Sequence, residues 1–148
     1  MKVLQVVFLI LISMNINLIS AGTQSIHAIG RLMCRGKPAP YAQIQLVNSR
    51  GEKENIPIGD LVFSDPDGYF DVYGSMHQFY DIPAQLHVWH ECFYDIGVHH
   101  GSCKSLLKLD IPKEFVNDSK LPKITWNSGV INLEIGVLGQ DLEKCDQE

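Results

Sequence analysis

The chain has 148 residues, a length that a single hydrophobic core accommodates. Apolar residues make up 45%, charged residues 20% and aromatic residues 9%, which excludes a disordered, collagen-like or polytopic membrane protein. Twelve basic against seventeen acidic side chains leave a net charge of −5, so no general electrostatic affinity for nucleic acid is expected.

At the start of the chain, Lys2 is followed by an apolar stretch from Val6 to Ile12, then Asn15 and Asn17, then the small residues Ser20, Ala21 and Gly22. This is the three-part layout of a secretory signal peptide, here residues 1–21, with cleavage near Ala21 or Gly22. The apolar run is far shorter than the ~20 residues that cross a bilayer, and no second such run follows, so an exported chain without a membrane span is expected. In an oxidising compartment Cys34, Cys92, Cys103 and Cys145 are expected to form two disulfides, and four cysteines allow three pairings.

From Ile26 onward the pattern has period two. Ile26, Ala28 and Leu32 alternate with His27, Ile29 and Arg31, and after the turn residues of Gly36-Lys37-Pro38-Ala39-Pro40 come Ile44 and Leu46 against Gln43 and Gln45. A short strand is expected around Leu61 to Ser64, and a tight turn at Asp65-Pro66-Asp67-Gly68. Phe70 and Val72 then alternate with Tyr69, Asp71 and Tyr73. Leu86 and Val88 alternate with Gln85, His87 and Trp89, and His90 shares the inward parity as a buried structural histidine. Leu107, Leu109 and Ile111 alternate with Lys108 and Asp110.

Asn117-Asp118-Ser119 forms an N-glycosylation acceptor within a polar, Pro-punctuated segment, so Asn117 is expected on an exposed loop. After a short strand near Ile124 to Trp126, Asn127-Ser128-Gly129 reads as a turn before a last strand carrying Ile131, Leu133, Ile135 and Val137. No long helical stripe appears. Seven or eight strands, each with one apolar face, are satisfied by two sheets packed face to face, an all-β sandwich over residues 22–138. Residues 139–148 form a polar tail tethered by Cys145.

Metal-binding patterns are weak. Asp65, Asp67 and Asp71 lie at spacings reminiscent of a calcium loop, but Gly68 and Met76 stand where that loop needs other positions filled, and a Gly-bearing turn explains the acids. His99 and His100 stand near Cys103, yet a disulfide removes the thiolate and no CxxC or HxxxH is present. No metal site and no cofactor are expected. Trp89 and His87, on the face opposite Leu86 and Val88, form with Lys104 and Lys108 a candidate binding surface, and Tyr69, Tyr73 and Tyr80 lie on neighbouring strands and loops.

Cys34-Arg35-Gly36-Lys37-Pro38, Asp65-Pro66-Asp67-Gly68-Tyr69-Phe70, His90-Glu91-Cys92, Ile111-Pro112 with Phe115, and Gly129-Val130-Ile131-Asn132-Leu133 occur in an order that resembles the nematode transthyretin-like family. The resemblance spans nearly all of the chain after the leader. It implies a transthyretin-type sandwich of seven to eight mostly antiparallel strands, secreted, with a binding or bridging role. The implied partners are a lipophilic small molecule, an anionic lipid surface or a receptor ectodomain, and self-association through sheet edges stays open. It also suggests the pairs Cys34 with Cys92 and Cys103 with Cys145, with a Cys92 to Cys103 loop as the main rival. The 5-hydroxyisourate hydrolases share the fold, but of their first-strand element only His27 is matched and their YRGS terminus is missing. No catalytic residue is therefore assigned, and a structural matrix component is the remaining alternative.

Overall fold

A computed structural model describes residues 22–50, 55–92 and 104–134, and the backbone of 140–142. The leader expected over 1–21, together with His99, His100, Cys103 and Cys145, lies outside the described residues. Among the described residues nine strands follow one another: β1 (Gly22–Cys34), β2 (Lys37–Pro38), β3 (Gln43–Asn48), β4 (Ile56–Phe63), β5 (Tyr69–Gln78), β6 (Ala84–His90), β7 (Ser105–Asp110), β8 (Trp126–Asn132) and β9 (Gln140–Leu142). A 3-10 turn, Lys113–Phe115, follows β7.

One sheet is organised around β1, which pairs antiparallel with β5 along Gly22–Arg31 and with β2 at Met33 and Cys34, and parallel with β8. The other sheet has the order β4-β3-β6-β7-β9, antiparallel throughout. The fold is thus an all-β sandwich, and, Ile58 apart, the core residues named next are those the alternation assigns. Ile26, Ala28, Leu32, Phe70 and Val72 from the first sheet meet Ile44, Leu46, Ile58, Leu86, Val88 and Leu107 from the second. Burying these faces against one another removes from water the apolar surface that drives the two sheets together.

Turn chemistry sets the register. Arg35 and Gly36 both take positive φ (52° and 70°), the requirement of a two-residue hairpin turn, and so β2 folds straight back on the end of β1. At the acidic turn, Asp65 Oδ1 accepts the N–H of Asp67 (2.9 Å) and of Tyr69 (2.8 Å), while Gly68 takes φ +81°. The carboxylate is spent on its own backbone. Along one side the sheets approach so closely that a Cβ on Gly74 would stand 2.3 Å from the Ile58 carbonyl oxygen.

Three expectations are corrected. Asn127-Ser128-Gly129 does not reverse the chain; it is a bulge inside β8, with Gly129 at φ +70° and a register shift opposite Ile29 and Arg31. The last run accordingly stops at Asn132 rather than continuing to Val137, since Leu133 and Glu134 form a turn and 135–139 fall outside the described residues. The polar tail contributes a strand, because Gln140–Leu142 pair with β7.

Candidate functional site

At the end of β1 the side chain of Cys34 is joined to Cys92, just beyond β6, with the two Cα atoms 5.8 Å apart. This bond ties the two sheets together across one pole of the sandwich. It is the pair that the family resemblance implies; the second implied pair lies outside the described residues.

A cleft of about 370 Å³ opens at this pole. Its walls come from the end of β2 (Pro38) and the β2–β3 connection (Pro40, Tyr41), from the end of β6 (Trp89, His90) and from the residue before β7, Lys104; the disulfide also lines it. That volume lies within the range of small-molecule sites. Tyr41 is exposed and held at φ 60°, in the left-handed region that a bulky residue avoids. Ser64 fixes it there: the Ser64 carbonyl accepts Tyr41 N–H (3.0 Å), and the Ser64 hydroxyl donates to Ala39 O (2.7 Å) and accepts Ala42 N–H (3.0 Å).

His90 is buried, with 3% of its surface exposed. Its Nδ1 accepts the Cys92 N–H (3.1 Å), whereas its Nε2 is buried with no hydrogen-bond partner. Burial pushes its pKa down to about 4, because the charged ring would lose its hydration. The neutral ring therefore carries its proton on Nε2, as a donor without an acceptor.

The candidate surface read from the sequence is divided by the fold. Trp89 and Lys104, both half-buried, line the cleft. His87 is not a surface residue: it is 2% exposed, with the Trp89 ring edge-on at 5.7 Å, Gln85 Oε1 at 3.1 Å from Nε2, and Gln45 and Lys108 in register on either side. Lys108 is half-buried on β7, beside His87 rather than at the cleft. Tyr69 and Tyr73 belong to the other sheet and do not extend this surface. Sequence reasoning missed Tyr41, whose only signal is its place after Pro38 and Pro40.

Asn117 also departs from expectation. It is buried, and its Nδ2 donates to Phe115 O (3.1 Å) and Ile124 O (3.2 Å) while Oδ1 accepts the N–H groups of Lys123 (2.9 Å) and Ile124 (3.1 Å). Its backbone bonds twice to Ser25 on β1. The amide nitrogen that would carry a glycan is enclosed, so the exposed acceptor loop is replaced by a structural hub. His27 is likewise engaged, Nε2 donating to Asp71 Oδ1 (2.8 Å) and Nδ1 facing Thr125 Oγ1 (2.7 Å), away from the cleft.

A family model described as the transthyretin-like family matches residues 29–112, more than half of the chain. This chain belongs to the transthyretin-like family. Transthyretin-like protein 46 of Caenorhabditis elegans is 31% identical over 111 residues, covering 75% of this chain and 60% of that protein. Transthyretin-like protein 2 of the same species is 31% identical over 116 residues, covering 75% and 76% respectively. The chain thus spans less than two thirds of the length of Transthyretin-like protein 46. Among solved structures, a 9R-lipoxygenase from Cyanothece PCC8801 overlays 80% of this chain and 17% of its own at 14% identity and a TM-score of 0.42, a likeness from which nothing is carried over.

Proposed function

We propose that this transthyretin-like protein is a secreted, non-enzymatic binding module that holds a lipophilic small molecule in the cleft beside the Cys34–Cys92 bond. The cleft itself carries the reading: it is concave, of ligand size, and walled by Tyr41, Trp89 and prolines. Cys34 and Cys92, which line it, are bonded to each other, so neither offers a thiol nucleophile. Support for export comes from the leader-like layout of residues 1–21 and from a disulfide that an oxidising compartment maintains. Both ring nitrogens of His27 are committed, which weighs against the hydrolase alternative.

The test is a thermal-shift and tryptophan-fluorescence screen of purified protein against neutral and charged apolar compounds. Ligands that stabilise the wild type and fail to stabilise Trp89→Ala support the reading. A screen in which every stabilising compound acts equally on Trp89→Ala sinks it.

A further inference from the structure

The orphaned donor on His90 narrows the ligand. A buried N–H with no acceptor is costly, and a ligand that brings an acceptor to it gains what the free protein forgoes. The tautomer follows from the Cys92 N–H on Nδ1, so Nε2 offers a proton and not a lone pair. That excludes a metal ion or an ammonium group at this nitrogen and favours an oxygen acceptor.

Charge narrows it further. Lys104 and Glu91 both line the cleft, and the exposed Lys37 adjoins the lining residue Pro38. Among the described residues, Lys104 and the nearby Lys37 stand against Glu91, a balance that favours a single negative charge, and Glu91 opposes a second one. Tyr41, Trp89, Pro38 and Pro40 give the remaining wall its apolar character.

We infer that the cleft takes an amphipathic monocarboxylate, whose acid group is attracted by Lys104 and accepts the His90 Nε2–H once the wall that closes this atom from solvent gives way, while its apolar body packs against Tyr41 and Trp89. This rests on the binding-module reading above and assigns that module its ligand chemistry. The carboxylate supplies the acceptor that the buried ring lacks, and a charge-assisted bond to it is stronger than one to a hydroxyl. An alcohol of the same length retains the apolar contacts and forfeits the charge.

The experiment is a calorimetric titration at pH 7.5 with decanoate and, as its neutral match, decanol, each kept below its aggregation concentration. Decanoate is expected to bind one site about tenfold more tightly than decanol. Lys104→Gln weakens decanoate about fivefold and leaves decanol unchanged, and His90→Phe does the same. Lys104 lies outside the core, so its variant remains informative should His90→Phe fail to fold. Trp89→Ala abolishes both. Equal affinities for acid and alcohol, still dependent on Trp89, overturn the carboxylate and leave the module standing. Decanoate binding indifferent to both Lys104→Gln and His90→Phe also overturns the carboxylate, with water then satisfying Nε2. No Trp89-dependent binding of either compound overturns the module as well.

Discussion

His90 predicts how the protein responds to acid. Its pKa falls from 6.5 in the unfolded chain to about 4 in the folded one, because the ring is buried. Below pH 6.5 the unfolded chain binds a proton that the folded chain refuses, so stability is lost as pH falls and is fully present only above 6.5. The displacement corresponds to a total loss of about 3 kcal/mol, of which about 2 kcal/mol has gone by pH 5. Protonation would also end the bond from Cys92 N–H, since a protonated Nδ1 cannot accept. Urea titrations of the wild type and His90→Gln at pH 7 and pH 5 isolate this contribution, because every other group is common to both proteins. The wild type should lose about 2 kcal/mol more than the variant over that interval. An equal loss in the two proteins would refute the reasoning and place the pH sensitivity elsewhere.

The Cys34–Cys92 bond closes a loop with a sequence separation of 58, and its removal in Cys34→Ser/Cys92→Ser should cost about 4 kcal/mol in urea unfolding. A loss below about 1 kcal/mol would contradict that assignment of the cross-link. Asn117→Ala strands two backbone N–H groups and two carbonyls and should cost about 2–4 kcal/mol by thermal unfolding; a neutral effect would disprove the hub. Protein expressed through a secretory host should also keep its mobility after glycosidase treatment, and a glycan mapped to Asn117 would show that the native turn differs. Gly74→Ala drives a methyl against the Ile58 carbonyl oxygen at 2.3 Å, backbone that cannot turn aside, and should cost about 2 kcal/mol or more. Unchanged stability there would mean that β4 and β5 stand further apart.

The core was legible because a strand repeats every two residues and one face had to be dry. Ile26, Ala28, Leu32, Leu86 and Val88 were assigned by parity and are buried. What parity cannot tell is whether an outward face meets water: His87 points outward as expected and is covered by side chains of β3, β6 and β7. Local turn signals share this limit. Asn127-Ser128-Gly129 has the same composition whether the chain reverses or bulges, and only pairing with β1 decides between them. A short strand is expected only around Leu61 to Ser64; β4 nevertheless pairs with β3 from Ile56, past Pro57 and absorbing Gly59 at φ +77° near a register shift. The acceptor motif at Asn117 is three residues long, and its burial is imposed by Ser25, which lies 92 positions away.

The two ends of β1 are closed by different means, although each borders a cleft. Ser25 and Cys34 lie nine residues apart on a continuous strand, about 30 Å at the usual rise. At Ser25 the connection after β7 is drawn onto the strand by Asn117, whose amide satisfies that turn's backbone groups from within. At Cys34 no such side chain is needed, because a covalent bond to Cys92 holds the sheets together. The backbone around Tyr41 is instead fixed by Ser64 from the neighbouring turn. A cleft bordered by a disulfide and by a hydrogen-bonded turn loses little freedom when it is filled, so less of the contact energy is consumed in ordering it. Leaving His90 without an acceptor is tolerable on the same ground: the cross-link fixes Cys92, and its N–H keeps the ring in the one tautomer that presents a donor.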